Sequence, residues 1–198
     1  MRRACAGRTR FLSSCFVLDG RKTQRGGVKP APKRGAAFTL PNGQRIYDPD
    51  SPSKVLMSPV ANLSEVAETG RVVGLIYQRM VLTMELRAVA EVYIYGEIVK
   101  NLGHGGTFDY QRSGNLLTGF TQLRQFREVS NFNVGLFMQQ TGVFSLDQTL
   151  SRAGTFASAL SSNARPNEPH GLDLKTAEWI TKGYAAGASG VYGQPAGQ

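Results

Sequence analysis

Apolar residues recur at spacings of mostly three, four and seven positions from about residue 59 onward, which is the pattern of one helix face. The first such segment includes Val66, Val73, Val92 and Val99, and it fits either one long bent helix or two shorter ones. Glycines within residues 103–106 are expected to end it. Because few runs alternate β-branched with polar residues, the pattern predicts an all-α fold, organised as a compact multi-helix domain.

A further helix is predicted over residues 133–141, and two asparagines stand at its expected start. An Asn at the N-cap accepts a hydrogen bond from a free backbone N–H group and stabilises a helix by about 1 kcal/mol. One of Asn131 and Asn133 can take that role, and the other is left without one. Gly135 follows and would let a backbone or a ligand approach closely. Two interpretations therefore remain: a structural cap, or a polar site at a helix N-terminus.

The last two helices have clear start signals. Ser145 and Gln148 form a capping box that opens a helix to about residue 161. After a loop rich in Pro, Asn and Gly, Asp173 caps a final helix that ends near Gly187. The residues beyond it are expected to be frayed.

The net charge of +9 is confined to the start of the chain. Ten of the 23 Lys and Arg residues, but one of the 14 acidic residues, lie in residues 1–34, so 13 of each sign remain in the rest. We therefore expect two parts: residues 1–54 as an irregular, basic, Gly/Pro-rich arm or linker, and residues 55–198 as the helical domain. Residues 1–34 are expected to be disordered and dispensable for folding. A basic arm can bind phosphates, but a linker or a remnant of a longer precursor is the preferred interpretation.

The sequence predicts no metal site and no cofactor. Both cysteines, Cys5 and Cys15, lie in the arm, and neither His104 nor His170 has a second His or Cys at ligand spacing. The apolar run over residues 11–18 resembles a signal peptide only weakly. No apolar stretch approaches the length of about 18–20 residues that a membrane span needs, so no transmembrane segment is expected.

Three residues are candidates for catalysis or ligand binding because of their residue type and their neighbours in the sequence. Asp109 is flanked by Phe108 and Tyr110, and apolar neighbours suit a carboxyl group for proton transfer, although a turn or capping role is the alternative. His170 lies near Asp173 in a loop where an acid or base could be assembled. Arg152 could bind a phosphate or a carboxylate. No sequence signature of a catalytic nucleophile is present.

Four short motifs follow one another in a fixed order: GHGGTFDYQ, NFNVGLFMQQTGV, LSRAGTF and EPHGLDLKTAEWITKG. In this order they resemble the polymorphic toxin type 44 family, over about residues 94–183. That family has Gly-Gly-x-Trp-Asp-Tyr-Lys, Gly-Asn-Phe-Asn-Tyr-Gly, Leu-Leu-Arg-x-Ala-Gly and Pro-Tyr-Gly-Asp-Asp-Pro, then a helix of the type Trp-Ile-x-x-Gly. This chain has Phe108 where the family has Trp, and Gln111 where it has Lys.

The resemblance implies the toxic tip of a bacterial secreted effector used in competition between bacteria. Such domains are mainly helical, stand at the C-terminus of a larger secretion-system carrier, are delivered into a target cell, and are neutralised by a cognate immunity protein. RNA cleavage is the usual suggestion for their activity. For an RNA-cleaving toxin the candidate catalytic residues are Asp109, His170 and Asp173, although His170 stands where the family has Tyr. The implied substrate-binding residues are Tyr110, Asn131, Asn133 and Arg152.

Three functions from different classes remain open. The first is an RNA-cleaving hydrolase. The second is a peptidoglycan hydrolase in which Asp109 and Asp173 act as the carboxylate pair that glycosidases require. The third is a non-enzymatic helical interaction module whose polar motifs only cap and lock helices. For either enzyme we expect Asp109, Asn131, Asn133 and Asp173 to converge on one polar cleft.

Overall fold

Five α-helices form most of the part of the chain that the structure, a computed structural model, describes: residues 35–48, 51–84, 87–115, 117–160 and 164–197. The helices are α1 Ser64–Met84, α2 Arg87–Leu102, α3 Arg127–Gln140, α4 Leu146–Leu160 and α5 Leu174–Ala188. The short strands are β1 Ala36–Ala37, β2 Tyr47–Asp48, β3 Ser51–Val55, β4 Met57–Ser58, β5 Arg112–Asn115 and β6 Gly119–Gln122. The chain is therefore mostly helical, as predicted. The arm expected to be disordered, residues 1–34, lies outside the described residues.

Helix α3 is the centre of the fold. Nearly all of its residues from Val129 to Gln140 are buried, polar ones included, and a helix buried on all sides needs neighbours on every face. Its largest contact is with α5, and α1, α2 and α4 also pack on it. The main hydrophobic core surrounds α3, with Phe132, Leu136 and Phe137 fully buried in it.

Helices α3 and α5 touch through their backbones. A Cβ atom added at Gly135 would collide with the carbonyl oxygen of Ile180, and one added at Gly183 would collide with that of Phe132. The close approach that Gly135 suggested in the sequence is therefore made by another helix. It fixes how α5 lies across α3, and with it the position of every polar residue that the two helices share.

The packed unit begins before residue 55, where the sequence placed its boundary. Strand β1 pairs antiparallel with β4, and β2 pairs antiparallel with β3. Phe38, which directly follows β1, is fully buried, and its ring contacts the ring of Phe132 edge-on, with 4.9 Å between centroids. Leu40 and Leu56 are buried as well. Phe38 and Leu40 thus belong to the main core with Leu56, so the packed unit includes residues that the sequence assigned to the arm.

Two expectations about helix ends are wrong. Helix α3 begins at Arg127, so Asn131 and Asn133 lie in its interior, and the N-cap position is Phe126. The chain after α5 is not frayed: the carbonyls of Tyr192 and Ala196 accept hydrogen bonds from the Arg71 and Gln78 side chains. Buried tertiary partners, which sequence spacing does not reveal, hold both segments.

The remaining helix boundaries follow local signals. The capping box is present: Ser145 N donates to Gln148 Oε1 at 3.0 Å, and Gln148 N donates to Ser145 Oγ at 3.2 Å. Asp173 caps α5 through the Thr176 backbone N–H at 3.1 Å. The first apolar segment forms two helices, α1 and α2, rather than one. Within the described residues, no helix is both long and apolar enough to cross a membrane.

Candidate functional site

A cleft opens between α2 and α4, and α3 and α5 form its floor. Its volume is about 840 Å³, counting the open space at its mouth. Most of the lining is apolar. The charged or hydrogen-bonding side chains that line it are His104, Asp109, Gln111, Arg112, Ser130, Asn131, Thr149, Arg152 and Thr176.

Asp109 lies at one end of the cleft and is held in an ion pair. Its Oδ2 accepts hydrogen bonds from Arg112 Nη1 at 2.9 Å and from the Gly105 backbone N–H at 2.8 Å. The carboxylate side chain is 2% exposed and that of Arg112 is 13% exposed. These two donors fix the position of the carboxylate. Arg112 thus provides a cation beside Asp109. The polymorphic toxin type 44 family has its lysine one residue earlier, at the position of Gln111.

His104 stands beside this pair, on the loop that follows α2. Its ring meets the ring of Phe156 in α4 edge-on, with 5.3 Å between centroids. Burial lowers the pKa of His104, and the nearby Arg112 lowers it further, while Asp109 acts in the opposite direction. The imidazole is therefore neutral near pH 7 and keeps one ring nitrogen free to accept a proton.

Arg152 occupies the other end of the cleft. Its guanidinium lies 4.7 Å from the ring centre of Phe144 and 5.2 Å from that of Tyr95. Arg152 precedes Phe156, which contacts His104, by four residues on α4, so the backbones of these two residues are about 6 Å apart along the helix axis. The residues that these two side chains contact follow in the same order along the chain. Tyr95 of α2, which contacts Arg152, precedes His104, which contacts Phe156.

The two asparagines of α3 have different surroundings. Asn131 lines the cleft, and its Nδ2 donates to Thr176 Oγ1 at 3.5 Å. Asn133 is fully buried away from the lining, and its Nδ2 donates to the Phe108 carbonyl at 2.9 Å. Since Phe108 directly precedes Asp109, Asn133 fixes the loop that carries the carboxylate. Asn131 can meet a ligand, whereas Asn133 positions the loop.

Asp173 does not line the cleft. Its Oδ2 accepts from Thr176 Oγ1 at 2.6 Å and from Arg127 Nη2 at 3.0 Å, in addition to the capping bond to the Thr176 backbone. Thr176 does line the cleft and joins Asp173 to Asn131. The expected convergence of four residues is thus partial: Asp109 and Asn131 face the cleft, and Asn133 and Asp173 support residues that do.

His170 and Tyr110 also lie outside the lining. His170 Nδ1 is 3.2 Å from Ser151 Oγ, and its Nε2 is 3.9 Å from the exposed Asp147 carboxylate. Its backbone, at a φ of 57°, packs on Gly154, so it anchors a turn to α4. Tyr110 packs against the main core, and burial, with a smaller contribution from Glu65, raises its pKa to about 12. Neither position places the side chain beside Asp109.

Sequence reasoning missed His104 and Arg112. The only available signals were a histidine in the glycine-rich loop after a helix, and an arginine three residues after an aspartate. Among the described residues, no three His, Cys, Asp or Glu side chains form a group that could hold a metal ion. Comparisons of the chain with family models, curated proteins and solved structures find no match.

Proposed function

We propose that this protein is the toxin domain of a bacterial secreted effector, and that it is a hydrolase which cleaves RNA in the cleft between α2 and α4. One observation carries the proposal: His104 and Arg112 line the same cleft, and Arg112 is near enough to His104 to help lower its pKa. A proton acceptor next to a fixed cation can remove a proton and stabilise the charge that develops on a phosphate.

The chemistry follows from the two groups. His104 accepts the proton of a ribose 2′-hydroxyl as that oxygen attacks the adjacent phosphorus. Arg112 stabilises the charge that develops on the phosphate oxygens, and Asp109 holds its guanidinium in place at 2.9 Å. The departing 5′-oxygen takes its proton from water at the open mouth of the cleft. In this scheme Asp109 is a positioning residue and His104 the catalytic one.

The resemblance to the toxin family supports the same site. Asp109, Asn131 and Arg152 each match a family motif, and all three line this cleft although they come from three different segments. The mostly apolar lining can accommodate a base, and Asn131 offers an amide to its edge. The balanced charge of residues 35–198 argues for a small recognition site rather than a long basic groove. The basic residues of the arm would add non-specific attraction for RNA.

The peptidoglycan hydrolase is less well supported. A glycosidase needs two carboxyl groups that flank one bond, and Asp173 is engaged as the cap of α5 instead of lining the cleft with Asp109. The interaction module has one observation in its favour. The outer face of α1 exposes Val72, Leu75, Ile76 and Leu82 at helical spacing. An immunity protein or a carrier segment would be a suitable partner for such a face.

Growth of a bacterial host tests the proposal. Cytoplasmic expression should stop growth, and His104→Gln should relieve the arrest, because general-base catalysis contributes about 10²–10⁴-fold to a rate. His170→Gln is the matched control and should remain toxic. The purified protein should cleave an RNA oligonucleotide but not the same oligonucleotide with a 2′-deoxyribose at the cleaved position.

Three outcomes would contradict the proposal. Toxicity only after export to the periplasm would favour the peptidoglycan hydrolase. Relief by His170→Gln and not by His104→Gln would move the acid/base role to the loop that precedes α5. A folded protein without toxicity in either compartment, and without RNA cleavage in vitro, would leave the interaction module.

A further inference from the structure

Arg152 carries a positive charge that the described residues do not balance. No carboxylate among them pairs with its guanidinium, and its Nε atom is buried without a hydrogen-bond partner. Its contacts are instead the aromatic rings of Tyr95 and Phe144. A buried unsatisfied donor on a charged group is costly, so a native protein is expected to keep one only where something else uses it.

The other charges of the cleft are already balanced. Asp109 and Arg112 neutralise each other through a hydrogen bond of 2.9 Å, and burial lowers the pKa of His104, which favours its uncharged form. The remaining lining residues carry no charge. The cleft therefore has one net positive charge, and it lies at the end opposite His104.

A guanidinium in this position recognises an oxyanion. The aromatic rings hold it in place, and its N–H groups form a fork that matches the paired oxygens of a phosphate or a carboxylate. Most of the remaining lining is apolar, with Val99, Val134 and Phe156 among it. A ligand that fits the whole cleft has a flat apolar group in the middle and an anion at the end where Arg152 lies.

We propose that Arg152 forms a phosphate subsite for the phosphate next to the one that is cleaved, with the intervening nucleobase in the apolar middle of the cleft. The inference rests on the proposed RNA cleavage and adds a requirement to it: a good substrate carries a second phosphate. Arg152 lies one helical turn before Phe156, whose ring contacts His104, so both phosphates would be bound in the same cleft.

Ligand binding tests the subsite without relying on catalysis. Adenosine 5′-monophosphate, present at about 100 times its Kd, should raise the Tm of the wild-type protein by about 5–10 °C, and adenosine should raise it much less. Arg152→Met should remove this response while leaving the unliganded Tm unchanged or higher, because it removes an unbalanced buried charge and keeps an apolar contact with both rings. Arg124→Met, which changes an exposed arginine outside the cleft, is the matched control and should respond as the wild type does.

Kinetics separate this inference from the function on which it rests. The wild type should prefer a diribonucleotide with a second phosphate over one without it, and Arg152→Met should reduce that preference by about 10- to 100-fold. If Arg152→Met cleaves RNA with an unchanged preference for a second phosphate, the subsite is overturned and the proposed RNA cleavage is not affected. Nucleotide binding that depends on Arg152, without any RNA cleavage, would support the subsite and overturn the nuclease.

Three further results would overturn the subsite without kinetic data. One is an equal response of the wild type and Arg152→Met to adenosine 5′-monophosphate. Another is a response to benzoate that depends on Arg152 while the nucleotide gives none, which would identify the ligand as a carboxylate. A fall in the unliganded Tm of Arg152→Met, with no ligand response in the wild type, would mean that the guanidinium only packs against the rings.

Discussion

Removing the charge of Asp109 should destabilise the protein even though Asn has almost the same shape. The Asp109 carboxylate is 2% exposed and bonded at 2.9 Å to Arg112, which is 13% exposed. In Asp109→Asn the amide oxygen can still accept the Gly105 N–H, but the guanidinium loses its counter-ion. Breaking a buried pair from one side costs about 3–5 kcal/mol, mostly because the other charge stays buried alone. Because Arg112 reaches the open cleft and water can approach it, the lower end of about 3 kcal/mol is expected.

A double-mutant cycle measures this cost. For a domain of this size, about 3 kcal/mol corresponds to a fall in Tm of about 6–12 °C. Arg112→Met should be destabilising for the complementary reason, since it leaves the carboxylate alone. The double variant should lose less than the sum of the two, by a coupling energy of about 1.5–3 kcal/mol. Urea unfolding of the four proteins followed by circular dichroism would give all three values.

Additive losses in the cycle would refute this account of the ion pair, as would an unchanged Tm for Asp109→Asn. The result also determines how a toxicity assay is read. If Asp109→Asn unfolds part of the protein at growth temperature, relief of toxicity says nothing about proton transfer. His104→Gln is the more informative variant, because the ring of His104 makes an edge contact with Phe156 but no ion pair.

Three further predictions concern the scaffold and pH. Gly135→Ala should cost at least about 1–3 kcal/mol in urea unfolding, because its Cβ meets the Ile180 backbone, whereas Gly96→Ala, with open space around it, should be neutral or stabilising. Ser145→Ala should cost about 1 kcal/mol by loss of the capping box. The lowered pKa of His104 means that the unfolded chain binds its proton more readily. The free energy of unfolding should therefore have its full value above about pH 6.5, the pKa of histidine in the unfolded chain, and fall as the pH drops toward the folded pKa. His104→Gln should flatten that fall in unfolding curves recorded on either side of pH 6.5.

Features that depend on neighbours in the sequence could be predicted. The capping box of α4 and the Asp173 cap of α5 each form within three residues, so their signals are complete before any tertiary contact is made. The helix periodicity gave the fold class for the same reason. Strand pairing over residues 36–58 was harder, because the strands are two to five residues long and are stabilised by the burial of Phe38 rather than by their own composition.

The start of α3 shows where local reasoning fails. Asparagine is a good N-cap and a poor residue for a helix interior, so the sequence pointed to Asn131 or Asn133 as a boundary. In the folded chain their amides bond to Thr176 and to the Phe108 carbonyl, which come from distant parts of the sequence. These tertiary bonds outweigh the small cost in helix propensity. The cleft was hidden for the same reason, since its two walls are about fifty residues apart in the chain.

The distribution of charge in the cleft argues that it is a site rather than a packing defect. A protein that only needed to fill the space between α2 and α4 would gain stability from an apolar residue in place of Arg152, because the guanidinium leaves a donor unsatisfied. Groups that reduce stability without a structural gain are concentrated where proteins bind or react. The same cleft holds Arg112 balanced by Asp109, whereas no carboxylate among the described residues pairs with Arg152. A cation without a counter-ion among the described residues, together with a histidine whose pKa is lowered, is the combination expected of a ligand site.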